Sequence, residues 1–172
     1  MDSQKDQIQE PIEIVLGRQL LDRKMTMATA ESCTGGSIAA RVTSVPGSSE
    51  YFKGGVVAYT IAVKESVLHV PAEIIDKYGV VSEETAIEMV KGAMGTIGAD
   101  CAVATTGVAG PSGGTPEIPV GSVWMAAAVG HRIITNLQKG DDGRMENVNK
   151  AVRNALHMLC KLLEEDASAN RK

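Results

Sequence analysis

Aromatic side chains are almost missing from this 172-residue chain, which has one Trp, one Phe and three Tyr. Its core must therefore come from Ala, Val, Ile, Leu and Met, and side chains this small let helices approach a sheet closely. Cysteine is also scarce. Cys33, Cys101 and Cys160 are odd in number and far apart, which excludes a disulfide framework and a zinc site. They read as reduced thiols, two in the core and one near a loop. His69, His131 and His157 stand alone, with no His-Glu-x-x-His helix and no paired ligands, so no metal site is expected. Basic runs are absent and the net charge is −4, which leaves no electrostatic footprint for a nucleic acid. No apolar run approaches the ~18 residues of a membrane span. The opening segment MDSQKDQIQE is polar and partly acidic, unlike a signal peptide. A cytoplasmic protein with no membrane partner is the expectation.

The length suits a single domain over residues 1–172, with its core at about 12–165. Helical spacing of Ile12, Val15, Leu16 and Leu20 predicts a first helix over 12–24. A short strand at 25–30 runs into Glu31-Ser32-Cys33-Thr34-Gly35-Gly36, and a helix follows to about Val45. Residues 55–61 read as a buried strand. Helices are expected over 62–69 and from Pro71 to Gly79. A longer helix is capped by Ser82 and ended by Gly98. Residues 101–106 form a buried strand, and 121–129 with 132–138 form a hairpin at Gly130-His131. A final helix buries Val148, Val152, Leu156, Leu159 and Leu163, and frays after Glu165. The order predicts a three-layer α/β/α sandwich with a mixed, mostly parallel sheet of about five strands.

Three polar segments lie where strands end, the place where sites form in open α/β sheets. Glu31 to Gly36 is a strand-to-helix turn whose hydroxyls and backbone N–H groups could hold a phosphate or an oxyanion. On spacing alone an ordinary helix cap is the commoner reading of such a segment. Cys33 is a rival to Ser32 as nucleophile, since a helix N-terminus stabilises a thiolate. Lys64 follows the second strand; a lysine with a depressed pKa can deprotonate a serine, although most such lysines are simply surface. Gly107, Gly110, Gly113 and Gly114 after Thr106 suggest a backbone that curls close to a ligand. The loop lacks the terminal Gly-Lys-Ser/Thr of a P-loop, and its spacing is not Gly-x-Gly-x-x-Gly.

Taken together, Glu31-Ser32-Cys33-Thr34-Gly35-Gly36, Pro46-Gly47-Ser48-Ser49, Tyr59-Thr60 with Lys64, Gly79-Val80-Val81-Ser82, Gly107 to Gly114 and Pro119-Val120-Gly121-Ser122-Val123-Trp124 resemble, in order, the CinA C-terminal-domain family. The resemblance covers roughly residues 12–165. It implies an amidohydrolase that converts nicotinamide mononucleotide to nicotinic acid mononucleotide and ammonia without a metal or cofactor, in a stand-alone, homo-oligomeric form. It also implies Ser32 as nucleophile, Lys64 as base and Tyr59 as an assisting group. Glu31 and Cys33 to Gly36 would meet the substrate, with backbone N–H groups at Cys33 to Gly36 holding the oxyanion. Thr106 and the 107–114 loop would line the nucleotide pocket, and Arg144 would bind the phosphate, with Lys150 as a second charge.

The chain departs from the family pattern at Ile61, where Asn is frequent, and at Ile118, where Lys is frequent. Two alternatives follow: a non-catalytic nucleotide-binding or regulatory module, and an amidase for a different amide.

Overall fold

A computed structural model describes residues 10–169 of the chain. Five strands form one sheet: β1 (Met27–Glu31), β2 (Phe52–Val57), β3 (Cys101–Gly107), β4 (Val123–Val129) and β5 (Arg132–Gln138), in the order β2-β1-β3-β4-β5. β1 is parallel to both β2 and β3, whereas β4 is antiparallel to β3 and to β5. Four strands thus point one way and β4 alone points back.

Helices cover both faces, giving the three-layer α/β/α sandwich. On one face lie α1 (Ile12–Arg23), α2 (Ser37–Thr43) and α6 (Arg144–Ala169). They pack Leu16, Leu20, Ile38, Leu156 and Leu159 against Met27, Val103, Val123 and Met125 of the sheet. On the other lie α3 (Ile61–Ser66), α4 (Ala72–Tyr78) and α5 (Glu83–Ile97). Here the fully buried sheet residues are alanines, Ala28, Ala30, Ala102, Ala104, Ala126 and Ala128, packed on Met89 and Val90 of α5, with Val56, Trp124 and Ile133 partly buried at the margins. Strand alternation segregates the two sets, and the alanine face lets α5 lie close, as the scarcity of aromatics implied. Ser82 caps α5 by accepting from Thr85 N at 3.2 Å, and Gly98 ends it in the left-handed conformation.

The structure corrects four details. The segment expected as a buried strand at 55–61 is an edge strand over Phe52–Val57, with alternate residues exposed and Val57 50% exposed. Its apolar letters imitate a central strand, but β2 has a neighbour on one side only. Ile61 begins α3 instead of ending β2, because Thr60 caps that helix through Val63 N. All three cysteines are buried, including Cys33 beside the turn. The last helix continues through residue 169 rather than fraying after Glu165. No helix among the described residues is long and apolar enough to cross a membrane.

Candidate active site

The carboxyl ends of β1, β2 and β3 lie side by side because these strands are parallel neighbours. Ser32 is the first residue beyond β1. Its N–H donates to Thr105 O at 3.0 Å, which pins it to β3. At the end of β2, Ala58 N donates to Glu31 O at 2.8 Å. The chain then enters α3, whose last turn carries Lys64 back toward the strand ends. Lys64 Nζ donates to Ala58 O at 2.7 Å and to Ser32 Oγ at 3.0 Å. Lys64 is wholly buried, and Ser32 retains 8% exposure.

None of the ion pairs among the described residues includes Lys64. An ammonium removed from water without a counter-charge favours its neutral form. Burial accordingly holds Lys64 below the ordinary lysine pKa. The sequence-predicted base and nucleophile therefore meet in hydrogen-bond geometry, with the lysine biased toward the form that can take a proton. Cys33 fares differently. It sits in the apolar cluster with Ile38 and Val103, and burial pushes its thiol up to about 12. At neutral pH it is a thiol and a poor nucleophile.

Several expected ligand contacts turn inward. Glu31 is 1% exposed, with both carboxylate oxygens engaged inside the protein. Thr34 Oγ1 is shared between Glu31 and Thr105 Oγ1, each at 2.7 Å. Thr106 points to the opposite face of β3 from Thr105 and donates to Val80 O at 2.7 Å, so its hydroxyl proton is engaged within the protein. Gly35 N donates to Ser32 O and Gly36 N to Glu31. In this turn the N–H groups of Cys33 and Thr34 have no backbone acceptor among the described residues, and that of Cys33 lies against its own Sγ.

The glycines of the 107–114 loop serve the chain's own close approach. A Cβ on Gly107 would lie 2.5 Å from Ser122 O, one on Gly110 would lie 2.4 Å from Val120 Cγ1, and one on Gly114 would lie 2.7 Å from Val120 N. Gly113 differs: a Cβ there would meet Val108 Cγ1 at an ordinary 3.6 Å, and it is the positive φ of +89° that favours glycine. Tyr59 is 57% exposed and makes no hydrogen bond to Ser32 or Lys64. Its hydroxyl instead accepts from Arg144 Nη2 at 3.2 Å, while Arg144 Nη1 donates to Gly110 O at 2.8 Å. Arg144, at the start of α6, thus bridges the β2 exit and the glycine loop. Lys150 is paired with Asp142.

Three contributors escaped the sequence. Ala58 gives Lys64 a carbonyl, and Thr105 anchors the turn. Asn147 is fully buried; its Nδ2 donates to Ala109 O at 3.0 Å and to Asp141 Oδ1 at 2.9 Å, clipping the glycine loop to α6. A polar residue four before Ala151, on the inward stripe of that helix, was the available signal. A groove of about 330 Å³ opens at the same end of the sheet, lined by Ile118, Trp124 and Leu137 among others, without Ser32, Lys64 or Arg144. Among the described residues no cluster of His, Cys, Asp or Glu could hold a metal ion.

A buried Ser–Lys pair at the carboxyl edge of parallel strands defines an α/β/α protein with a small, pre-formed polar site. The chain belongs to the CinA C-terminal domain family, whose model matches residues 9–163. It is 42% identical over 152 residues to a CinA-like protein of Desulfotalea psychrophila, a match covering 88% of this chain and 37% of that protein. The competence/damage inducible protein CihA of Agrobacterium tumefaciens has a similar structure, with a TM-score of 0.84 at 40% identity, over 88% of this chain and 95% of that one. A CinA superfamily protein of Klebsiella pneumoniae gives 0.86 at 34% identity, over 90% and 96%. The chain spans well under half the length of the curated relatives it matches, 28% of one and 37% of another.

Proposed function

We propose that the protein hydrolyses the carboxamide of nicotinamide mononucleotide, with Ser32 as nucleophile and Lys64 as base. The observation that carries this reading is the 3.0 Å contact between Lys64 Nζ and Ser32 Oγ inside a site where burial favours the neutral amine. Ser32 Oγ bonds to the carboxamide carbon as its proton passes to Lys64 Nζ. The N–H groups of Cys33 and Thr34 are the remaining donors for the oxyanion. Collapse breaks the C–N bond, and Lys64 returns the proton to the departing nitrogen, which leaves as ammonia. Water then attacks the ester; its proton travels by way of Lys64 back to Ser32 Oγ, releasing nicotinic acid mononucleotide.

Arg144 supports a nucleotide substrate. Its guanidinium is exposed beside Tyr59, so a phosphate and an aromatic ring would find a fork of donors and a ring face together. Tyr59 belongs to this binding edge rather than to the proton path.

A second reading, an amidase for a different amide, is favoured by Ile118, which lines a groove of mixed polarity with Trp124, Leu137, Glu117 and Lys139.

The test is ammonia release from nicotinamide mononucleotide by the purified protein and by Ser32→Ala. Release by the unaltered protein alone is expected. Equal release by both proteins would remove Ser32 from the mechanism, and none from either would remove this substrate.

A further inference from the structure

We infer that Glu31 is a positioning residue for Ser32, acting through the turn that carries the nucleophile and never touching substrate. The inference rests on the amidase reading for its kinetic consequence, but its geometry stands apart from it. Glu31 Oε2 accepts from Thr34 Oγ1 at 2.7 Å, Gly36 N at 3.1 Å and Ile38 N at 2.9 Å, and Oε1 accepts from Ala39 N at 2.8 Å. A carboxylate at 1% exposure is costly unless its lone pairs are satisfied, and four donors satisfy it. No ion pair among the described residues offers it a cation.

Glu31 and Thr105 face each other across β1 and β3, and Thr34 joins both. A hydroxyl has one proton. The arrangement that serves all three is therefore Thr105 donating to Thr34, and Thr34 donating to Glu31. Ser32 is held inside this ring: its N–H is tied to Thr105 O, and its carbonyl accepts from Gly35 N at 3.0 Å. The side chain before the nucleophile thus ties down the residues after it. A second consequence follows. The first N–H groups of α2 are consumed by the protein's own carboxylate, so the substrate's anion has no place there and falls to Arg144.

Glu31→Gln tests this. It keeps the shape but replaces one acceptor oxygen with an NH₂ that must face an N–H. The expected result with nicotinamide mononucleotide is kcat lowered roughly 10- to 100-fold, with KM within about threefold of the unaltered protein. Amide exchange at Gly36, Ile38 and Ala39 should quicken. Unchanged kcat, or a loss confined to KM, would overturn the inference. If Glu31→Gln does not fold, Thr34→Val removes the same relay; a kcat loss at constant KM supports the inference and unaltered kcat refutes it. If the unaltered protein releases no ammonia, the amidase reading fails alone. The inference is then judged on crystal structures: the Ser32 Oγ–Lys64 Nζ distance should lengthen beyond about 3.5 Å in the variant, and an unchanged distance would refute it.

Discussion

Two glycine-bearing segments leave neighbouring strands at the same edge of the sheet, and they are built in opposite ways. The turn after β1, residues 31–36, is closed: Glu31, Ser32, Cys33 and Thr34 are all buried, and its polar groups are tied to Thr105, α2 and Lys64. The loop after β3 is open: residues 111–117 are exposed, and the segment is held from outside by Asn147 on Ala109 and Arg144 on Gly110. On the proposed mechanism, the closed turn carries the groups that must keep a fixed distance during bond making. The open loop, with Arg144 and Tyr59 at its border, suits recognition, where adjustment is tolerated. Changes in the turn should therefore strike kcat, and changes at the loop and its clips should strike KM.

The largest effect is expected from Ser32→Ala and Lys64→Met, each lowering turnover by roughly 10³-fold or more in an ammonia-release assay with circular dichroism unchanged. Arg144→Gln should raise KM by about 10- to 100-fold, the loss of a charge-assisted contact, with much smaller change in kcat. A variant whose kcat collapses at constant KM would put Arg144 among the reacting groups and blur the contrast.

Asn147→Ala leaves Ala109 O and Asp141 without their buried donor. It should cost about 1–3 kcal/mol in a denaturant titration and raise KM as the loop loosens.

The pH dependence sharpens the contrast in another way. Lys64 must be neutral to accept a proton, so kcat/KM should fall as pH drops through its depressed pKa. Arg144→Gln should leave that limb where it is. For stability, the unfolded chain holds a proton on Lys64 up to the ordinary value of 10.5, whereas the folded chain releases it earlier. Stability should thus rise with pH between the folded value and 10.5, and Lys64→Met should remove that rise. Denaturant titrations of both proteins across the alkaline range check the sign. The smallest effect belongs to Cys33→Ala: activity within about threefold, and a stability loss of about 1 kcal/mol for a small buried group.

The layers and the strand order along the chain were legible in the sequence, whereas the pairing of Ser32 with Lys64 was implied only by the family resemblance, since a lysine after a strand is most often simply surface. Periodicity marks the helices, and the parallel pairing of β1 with β2 through a helical crossover brings their carboxyl ends together. What stayed hidden depends on direction and partner. Glu31 and Thr106 each stand at a strand end in a polar segment, but only register tells that one points into α2 and the other toward Val80. Gly107, Gly110 and Gly114 signal close approach correctly, yet spacing does not say whether the approaching atoms belong to a ligand or to Val120 and Ser122. The edge position of β2 is a property of the sheet order, which the letters GVVAYT do not encode.

The most direct test of the Ser–Lys account is to look for its covalent intermediate. Nicotinamide mononucleotide is mixed with the protein, quenched in acid within a turnover, and the intact protein and its peptides are weighed. The account predicts an acyl adduct equal to the substrate less ammonia, mapped to Ser32. An adduct on Cys33, or ammonia formed at full rate by Ser32→Ala, would contradict it.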